Sequence, residues 1–299
     1  MILVSRSFED VTANVGIDGA QLNTLELVVL VWIGSLAAGF LGSLTGLGGG
    51  VVIVPFLTLV FGVDIRYAIG ASLVSVIATS SGAAAAYVKE GFSNIRVGMF
   101  LEIATTLGAL AGALVAIHLP VKIIAVIFGV VLLYSAYISY FPPLKEDRPD
   151  RPDRIATLLH MDSTFPTTQG LQPYYVRGVP AGFGLMFIAG LLSGVLGIGS
   201  GAVKVLAMDR AMRLPFKVST TTSNFMIGVT AAASAGVYLN RGYIDPGLAM
   251  PVMLGVLAGS LMGSRALATV KTRVLRIVFA LVIGVLAVEM IWSGITGRI

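Results

Sequence analysis

The sequence predicts an all-α polytopic membrane protein with two inverted-topology repeats, each interrupted by a Gly-rich broken or re-entrant short helix. Three observations carry that prediction. The first is composition. Hydrophobic residues make up 56% of the chain and charged residues 12%, with a mean hydropathy of +0.92. A soluble domain carries about 25% charged residues. The second is an internal repeat. The stretch Gly46-Leu47-Gly48-Gly49-Gly50 returns 151 residues later as Gly197-Ile198-Gly199-Ser200-Gly201. The same ungapped spacing pairs Ser72 with Ser223, Tyr87 with Tyr238, Met99 with Met250, Gly108 with Gly259 and Gly112 with Gly263. A register shared by Ser, Tyr and Met as well as Gly marks two copies of one unit. The third is an uneven distribution of basic residues, developed below.

Taken in order, residues 1–25 form a polar leader. Met1-Ile2-Leu3-Val4 is too short for the apolar core of a cleavable signal peptide. The first membrane repeat, residues 26–141, offers apolar segments at Leu27–Thr45, Val51–Phe61, Tyr67–Val88, Val97–Leu119 and Ile123–Phe141. The second of these falls well short of the roughly 20 residues a full crossing needs. It therefore reads as a half-helix or a re-entrant arm. Residues 142–177 form a linker. Its start, Leu144 through Arg154, is charge-dense and punctuated by Pro149 and Pro152, so it reads as a solvated connector. The second repeat, residues 178–299, gives the same order: Val179–Leu196, Ala202–Met212, Val218–Leu239, Gly247–Val270 and Val274–Trp292.

Topology follows from charge. With an odd number of crossings per half, thirteen basic residues fall on one side: Lys89, Arg96, Lys145, Arg148, Arg151, Arg154, Arg177, Arg210, Arg213, Lys217, Lys271, Arg273 and Arg276. Only Arg6, Arg66, Lys122, Arg241 and Arg298 fall on the other. Four crossings per half remove the asymmetry. By the positive-inside bias, the odd count holds, the two halves are inverted, the 142–177 linker is cytoplasmic and both termini face outside. Five crossings per half, or three plus a re-entrant hairpin, satisfy this equally.

The chemistry-bearing residues lie at the breaks. Each Gly weakens a helix by roughly 1 kcal/mol relative to Ala. Backbone that leaves the helix inside lipid must be buried in protein or line a cavity. Interrupted segments at corresponding positions of two halves are a pointer to a transporter binding site. Gly48, Gly49 and Gly50 precede the first short arm, and Gly199, Ser200 and Gly201 the second. Free N–H groups at such helix starts attract anions; small residues also serve close helix packing. The run Ser219 through Asn224 opens the third segment of the second half, and its counterpart keeps one hydroxyl, Ser72. Ser72, Ser223 and Asn224 are candidate neutral donors to an oxyanion, although such side chains also bond their own backbone. Lys204 stands inside the second arm where Ile53 stands in the first. An ammonium in a span is costly unless paired or hydrated, which makes it a functional candidate. Glu102 lies well inside the fourth segment. It is the candidate for proton coupling, with a structural ion pair as the alternative.

These residues resemble the sulfite exporter TauE/SafE family of membrane transporters. The resemblance spans nearly all of residues 27–293. It rests on Gly46-Leu47-Gly48-Gly49-Gly50 with Val54-Pro55, on Ala68-Ile69-Gly70-Ala71-Ser72, and on Gly197-Ile198-Gly199-Ser200-Gly201 with Thr221-Thr222-Ser223-Asn224-Phe225. Ser200 stands where a third glycine is usual, and Leu206 where the family places proline. What the resemblance implies is transport of a small sulfur-containing anion, of the sulfite, thiosulfate or organosulfonate class, across the inner (plasma) membrane.

The sequence reading is thus a secondary transporter of such an anion, coupled to an ion gradient, with a passive anion channel on the same scaffold as the alternative. Its partners are the anion and the lipid bilayer. The chain has no Cys and two distant His, so thiolate chemistry is absent, and neither a metal site nor a cofactor is expected. Without a Ser–His arrangement, an enzyme is not expected. The net charge of +5 has no basic stripe with interleaved aromatics, so no nucleic acid is expected.

Overall fold

The computed structural model describes residues 16–17, 20–21, 24–45, 50–89, 93–140, 153–167, 170–267 and 272–299. A two-residue hairpin, β1 (Gly16–Ile17) with β2 (Ala20–Gln21), precedes the first repeat. That repeat comprises α1 (Thr24–Thr45), α2 (Gly50–Val60), α3 (Ile65–Lys89), α4 (Ile95–Ala116) and α5 (Val121–Tyr140). Between the halves lie α6 (Arg154–Leu158) and an antiparallel hairpin, β3 (Ser163–Thr167) with β4 (Gly170–Tyr174). The second repeat comprises α7 (Val179–Leu196), α8 (Gly201–Leu206) running into a π-turn (Ala207–Ala211), α9 (Phe216–Asn240), α10 (Pro246–Leu267) and α11 (Thr272–Thr296). The element order of the first half is repeated in the second, at the register the glycines predict.

Four helices among the described residues are long and apolar enough to cross a bilayer, at Leu25–Gly42, Ile95–Ala116, Val179–Leu196 and Pro246–Gly263. They expose large apolar side chains outward. On α4 these are Met99, Ile103, Leu107 and Leu114, and the shorter apolar stretch of α11 likewise exposes Leu281, Val285, Val288, Trp292 and Ile295. Such stripes suit lipid tails, which are as apolar as the side chains themselves.

Packing is exchanged between the halves. The helix α1 lies along α10, and its counterpart α7 lies along α4, the counterpart of α10. Helices α3 and α9 pack on each other, as do α5 and α11. Glycines make the exchanged contacts close, and they do so in matched pairs. A Cβ at Gly259 would overlap the carbonyl oxygen of Leu36, and one at Gly108 that of Phe187. A Cβ at Gly39 would meet Val256 O, and one at Gly190 Thr105 O. Each contact maps onto its twin when both residues move by 151 positions. Without a hydrophobic drive between helices in lipid, this backbone proximity is what holds them. The helix starts match too. Asn94 caps α4 by accepting from Val97 N, and its counterpart Asp245 accepts from Gly247 N and Leu248 N at the start of α10.

The charged stretch expected to be a solvated connector lies outside the described residues up to residue 152. Residues 153–167 and 170–177 fold into a cap. Ala156, Met161, Phe165, Tyr174 and Val176 are buried against Val97, Val179, Met212, Leu214 and Val218. The charged run ends near Arg154, and the apolar residues that follow supply a small core of their own. The cap is pinned by Asn94 Nδ2, which donates to Met161 O (2.8 Å) and to the Tyr174 hydroxyl (2.7 Å). Arg96 donates to His160 O, and Arg177 N to Met212 O. Burial pushes the Tyr174 phenol above its ordinary range, so it remains neutral. The starts of α4, α7 and α9 thus share one end of the bundle, under the cap.

Candidate functional site

The second glycine break is a tight elbow. Gly197 and Gly199 have φ of 67° and 68°, and Ser200 has φ of 46°. Three left-handed residues within four reverse the chain between α7 and α8, and glycine meets that demand without steric cost. Ser200 adopts the glycine-like conformation even though it carries a Cβ. Its hydroxyl is buried and has no partner in the protein.

The second elbow lies against the start of α2 and the buried face of α3. Ser72, fully buried on α3, donates to Gly197 O at 2.9 Å and lies 3.4 Å from Gly50 O. Its counterpart Ser223 on α9 donates to Gly201 O at 3.3 Å. The Ser223 proton thus serves the first carbonyl of its own arm, whereas the Ser72 proton goes chiefly to the elbow of the other half, with the first carbonyl of its own arm farther off. Asn224 is half-buried beside Ser223. Gly199 and Gly201 are buried in the elbow, whereas Gly48 and Gly49 lie outside the described residues.

One turn beyond Ser200, Lys204 is completely buried. Its Nζ donates to Thr230 Oγ1 on α9 at 2.6 Å. Thr230 Oγ1 in turn donates to Glu102 Oε1 on α4 at 2.7 Å, sharing that proton with Met226 O at 2.9 Å. Thr106 Oγ1 adds a bond to the same carboxylate oxygen at 3.2 Å. The other oxygen, Glu102 Oε2, is buried without a partner in the protein. An isolated buried ion costs several kcal/mol, and a counter-ion offsets that cost. Here the cation comes from the second repeat, the anion from the first, and one hydroxyl joins them. In the sequence Lys204 and Glu102 stand as separate candidates; the fold joins them, through Thr230, which no sequence motif singles out. The available signal was the register itself, because Thr230 falls opposite Thr79 at the same spacing of 151 residues.

Among the described residues no group of three or more His, Cys, Asp or Glu is placed to hold a metal. What the arrangement can do is hold one buried positive charge next to the second backbone break, where that break lies against the start of α2. Its counter-ion is a carboxylate, a group that can take up a proton.

The family model described as "Sulfite exporter TauE/SafE" matches residues 31–290. The chain is 29% identical over 280 residues to "Probable membrane transporter protein YunE" of Bacillus subtilis, covering 91% of this chain and 99% of that protein. It is 27% identical to "Probable membrane transporter protein MJ0441" of Methanocaldococcus jannaschii, covering 91% and 98%. It is 23% identical to "Probable membrane transporter protein YdhB" of Bacillus subtilis, covering 80% and 88%. No solved structure gives a significant match.

Proposed function

Since the chain belongs to the sulfite exporter TauE/SafE family and is a membrane transporter, we propose that it is a secondary transporter moving a small sulfur-containing anion across the inner membrane, driven by an ion gradient. The observation that carries the proposal is Lys204. A fully buried ammonium sits one turn from an elbow that touches the other repeat. A small anion is the ligand such a charge recognises. Sulfite, thiosulfate and organosulfonates are the class the family points to. Gly50, Gly199, Ser200 and Gly201 wall the site, Gly48 and Gly49 precede Gly50 in the sequence, and Lys204 supplies the charge. Ser72 and Ser223 hold the arms in place, Asn224 stands beside them, and Glu102 carries the coupling proton.

Inverted halves are part of the proposal, and one geometric relation supports them. Asn94 N donates to Thr222 Oγ1, and Thr230 donates to Glu102, so contacts between α4 and α9 advance in step and the two helices run parallel. An odd number of crossings per half requires this direction. If the short arms fold back and each half crosses four times, the two helices run antiparallel. The cap end also gathers Arg96, Arg154, Arg177, Arg213 and Lys217, which is the cytoplasmic set under the positive-inside bias.

The test is uptake in proteoliposomes. Thiosulfate, sulfite and an organosulfonate should accumulate above equilibrium under an imposed proton gradient. Equilibration without accumulation would make the protein a passive anion channel. Bonds to charged groups contribute about 1.5–3 kcal/mol, so Lys204→Met should weaken anion affinity by roughly ten- to a hundredfold. Lys204→Arg should recover part of it. A folded Lys204→Met protein that binds as tightly as the parent would place the site elsewhere.

A further inference from the structure

The bridge from Lys204 through Thr230 to Glu102 has a consequence for what moves with the anion. We propose that it is a charge-compensation switch: an anion reaches Lys204 only as Glu102 takes up a proton, so one proton travels with each anion. This rests on the transport reading above and gives the stoichiometry and the trigger of its proton coupling.

In a dry site the count of charges decides what can bind. Before binding, the pair is neutral, with an ammonium and a carboxylate joined by a single hydroxyl. Adding a monovalent anion leaves one uncompensated negative charge among buried groups, which costs several kcal/mol. A proton from the bulk cancels it. The proton binds the carboxylate, where Glu102 Oε2 has no hydrogen bond to break. The resulting carboxylic acid is a weak counter-ion, and Lys204 turns to the arriving anion. No bond is made or broken other than this O–H. Release reverses the steps, and the proton leaves with the anion.

Among the described residues, the surroundings offer no other compensating group. The helix α7, packed along α4, has no ionisable side chain. The helix α9 brings Lys217, exposed in its first turn, and Tyr238, whose hydroxyl donates to Gly194 O and Val195 O at the far end. On the π-turn, Arg210 is exposed, and Asp209 is half-buried and itself partnered. On α4, Arg96 is exposed and donates to His160 O in the cap. Glu102 is left as the acid that faces Lys204. The same count makes transport of a monovalent anion electroneutral.

Calorimetry on the purified full-length protein tests this with methanesulfonate, whose single charge does not change with pH. Binding is measured in Bis-Tris and in Tris, two cationic buffers with different ionisation enthalpies. The expected result is uptake of one proton per anion, with affinity falling about tenfold per pH unit where Glu102 is ionised. Glu102→Gln, which mimics the protonated acid, should bind methanesulfonate with no proton uptake and a flat pH profile. In proteoliposomes that variant should lose gradient-driven accumulation. Binding by the parent without net proton uptake would overturn the switch and leave the anion reading standing. So would a folded Glu102→Gln protein that has lost binding. If methanesulfonate, thiosulfate and sulfite all fail to bind the parent, the anion reading falls and the switch falls with it.

Discussion

Asn94 and Glu102 stand two turns apart on α4, and each is bonded to the α9 threonine 128 positions further along the chain, Thr222 and Thr230 respectively. The seam between these helices is therefore fastened twice. The outer clasp includes the cap, through Tyr174. The inner clasp includes Lys204. At 1.5 Å rise per residue they lie about 12 Å apart. The outer clasp sits at the cap end and the inner one well inside the bundle.

This arrangement predicts the effect of loosening the cap. Tyr174→Phe keeps the buried ring and loses the bond from Asn94, which should cost about 1 kcal/mol. Asn94→Ala loses that bond, the bond to Met161 and the helix cap together, and should cost more. Hydrogen exchange on residues 153–177 reads both. Equal protection in parent and Asn94→Ala would mean the cap is held by its apolar core alone.

Orientation is testable because the chain contains no cysteine. Single cysteines at Ser163, exposed on the cap, and at Ser7 in the leader report the two sides. An impermeant thiol reagent on intact cells should label the Ser7 site and spare the Ser163 site. The reverse pattern would invert the topology.

The exchanged glycine contacts predict matched costs. Gly108→Ala and Gly259→Ala each drive a methyl into a carbonyl of the facing helix. Overpacking of this kind costs typically 1–3 kcal/mol, and the two variants should lose thermal stability to a similar degree. Gly236 on α9 has open space around it, and Gly236→Ala should hold or raise stability, since Ala is the better helix former. Similar losses in all three would refute packing as the reason for the paired glycines.

Ser200 offers the opposite sign. A non-glycine residue in the left-handed region carries roughly 1–2 kcal/mol of strain. Ser200→Gly should relieve part of it and raise the melting temperature by a few degrees. A lower melting temperature would show that the buried hydroxyl has a stabilising partner, such as ordered water.

The sequence makes the membrane class, the repeat and its register plain. Glycine, serine and tyrosine recur at one spacing, and the helix order follows it. Ser72 and Ser223 were legible as a pair, but not what they bond. Their protons go to Gly197 O and Gly201 O, and only the fold shows those carbonyls within reach. Thr230 was hidden because a threonine inside a helix usually bonds its own backbone, and this one does so as well, to Met226 O. The cap was obscured by its neighbours. The charged residues before Arg154 dominate the reading of the linker, while Met161, Phe165 and Tyr174 are spaced too sparsely to announce a core.

The exchange of helix partners bears on how the chain is made. During synthesis α1 enters the bilayer long before α10 exists, and until then the backbone faces around Gly39 have nothing to pack against. The first half emerges as an unfinished object, dependent on its sequel. Stated for ancestry, a gene encoding a single repeat could close these contacts only by pairing its product with a second copy of itself. With both copies in one chain, each half is free to differ, and Ile53 and Lys204 mark such a difference: among the described residues, the buried cation belongs to the second half alone.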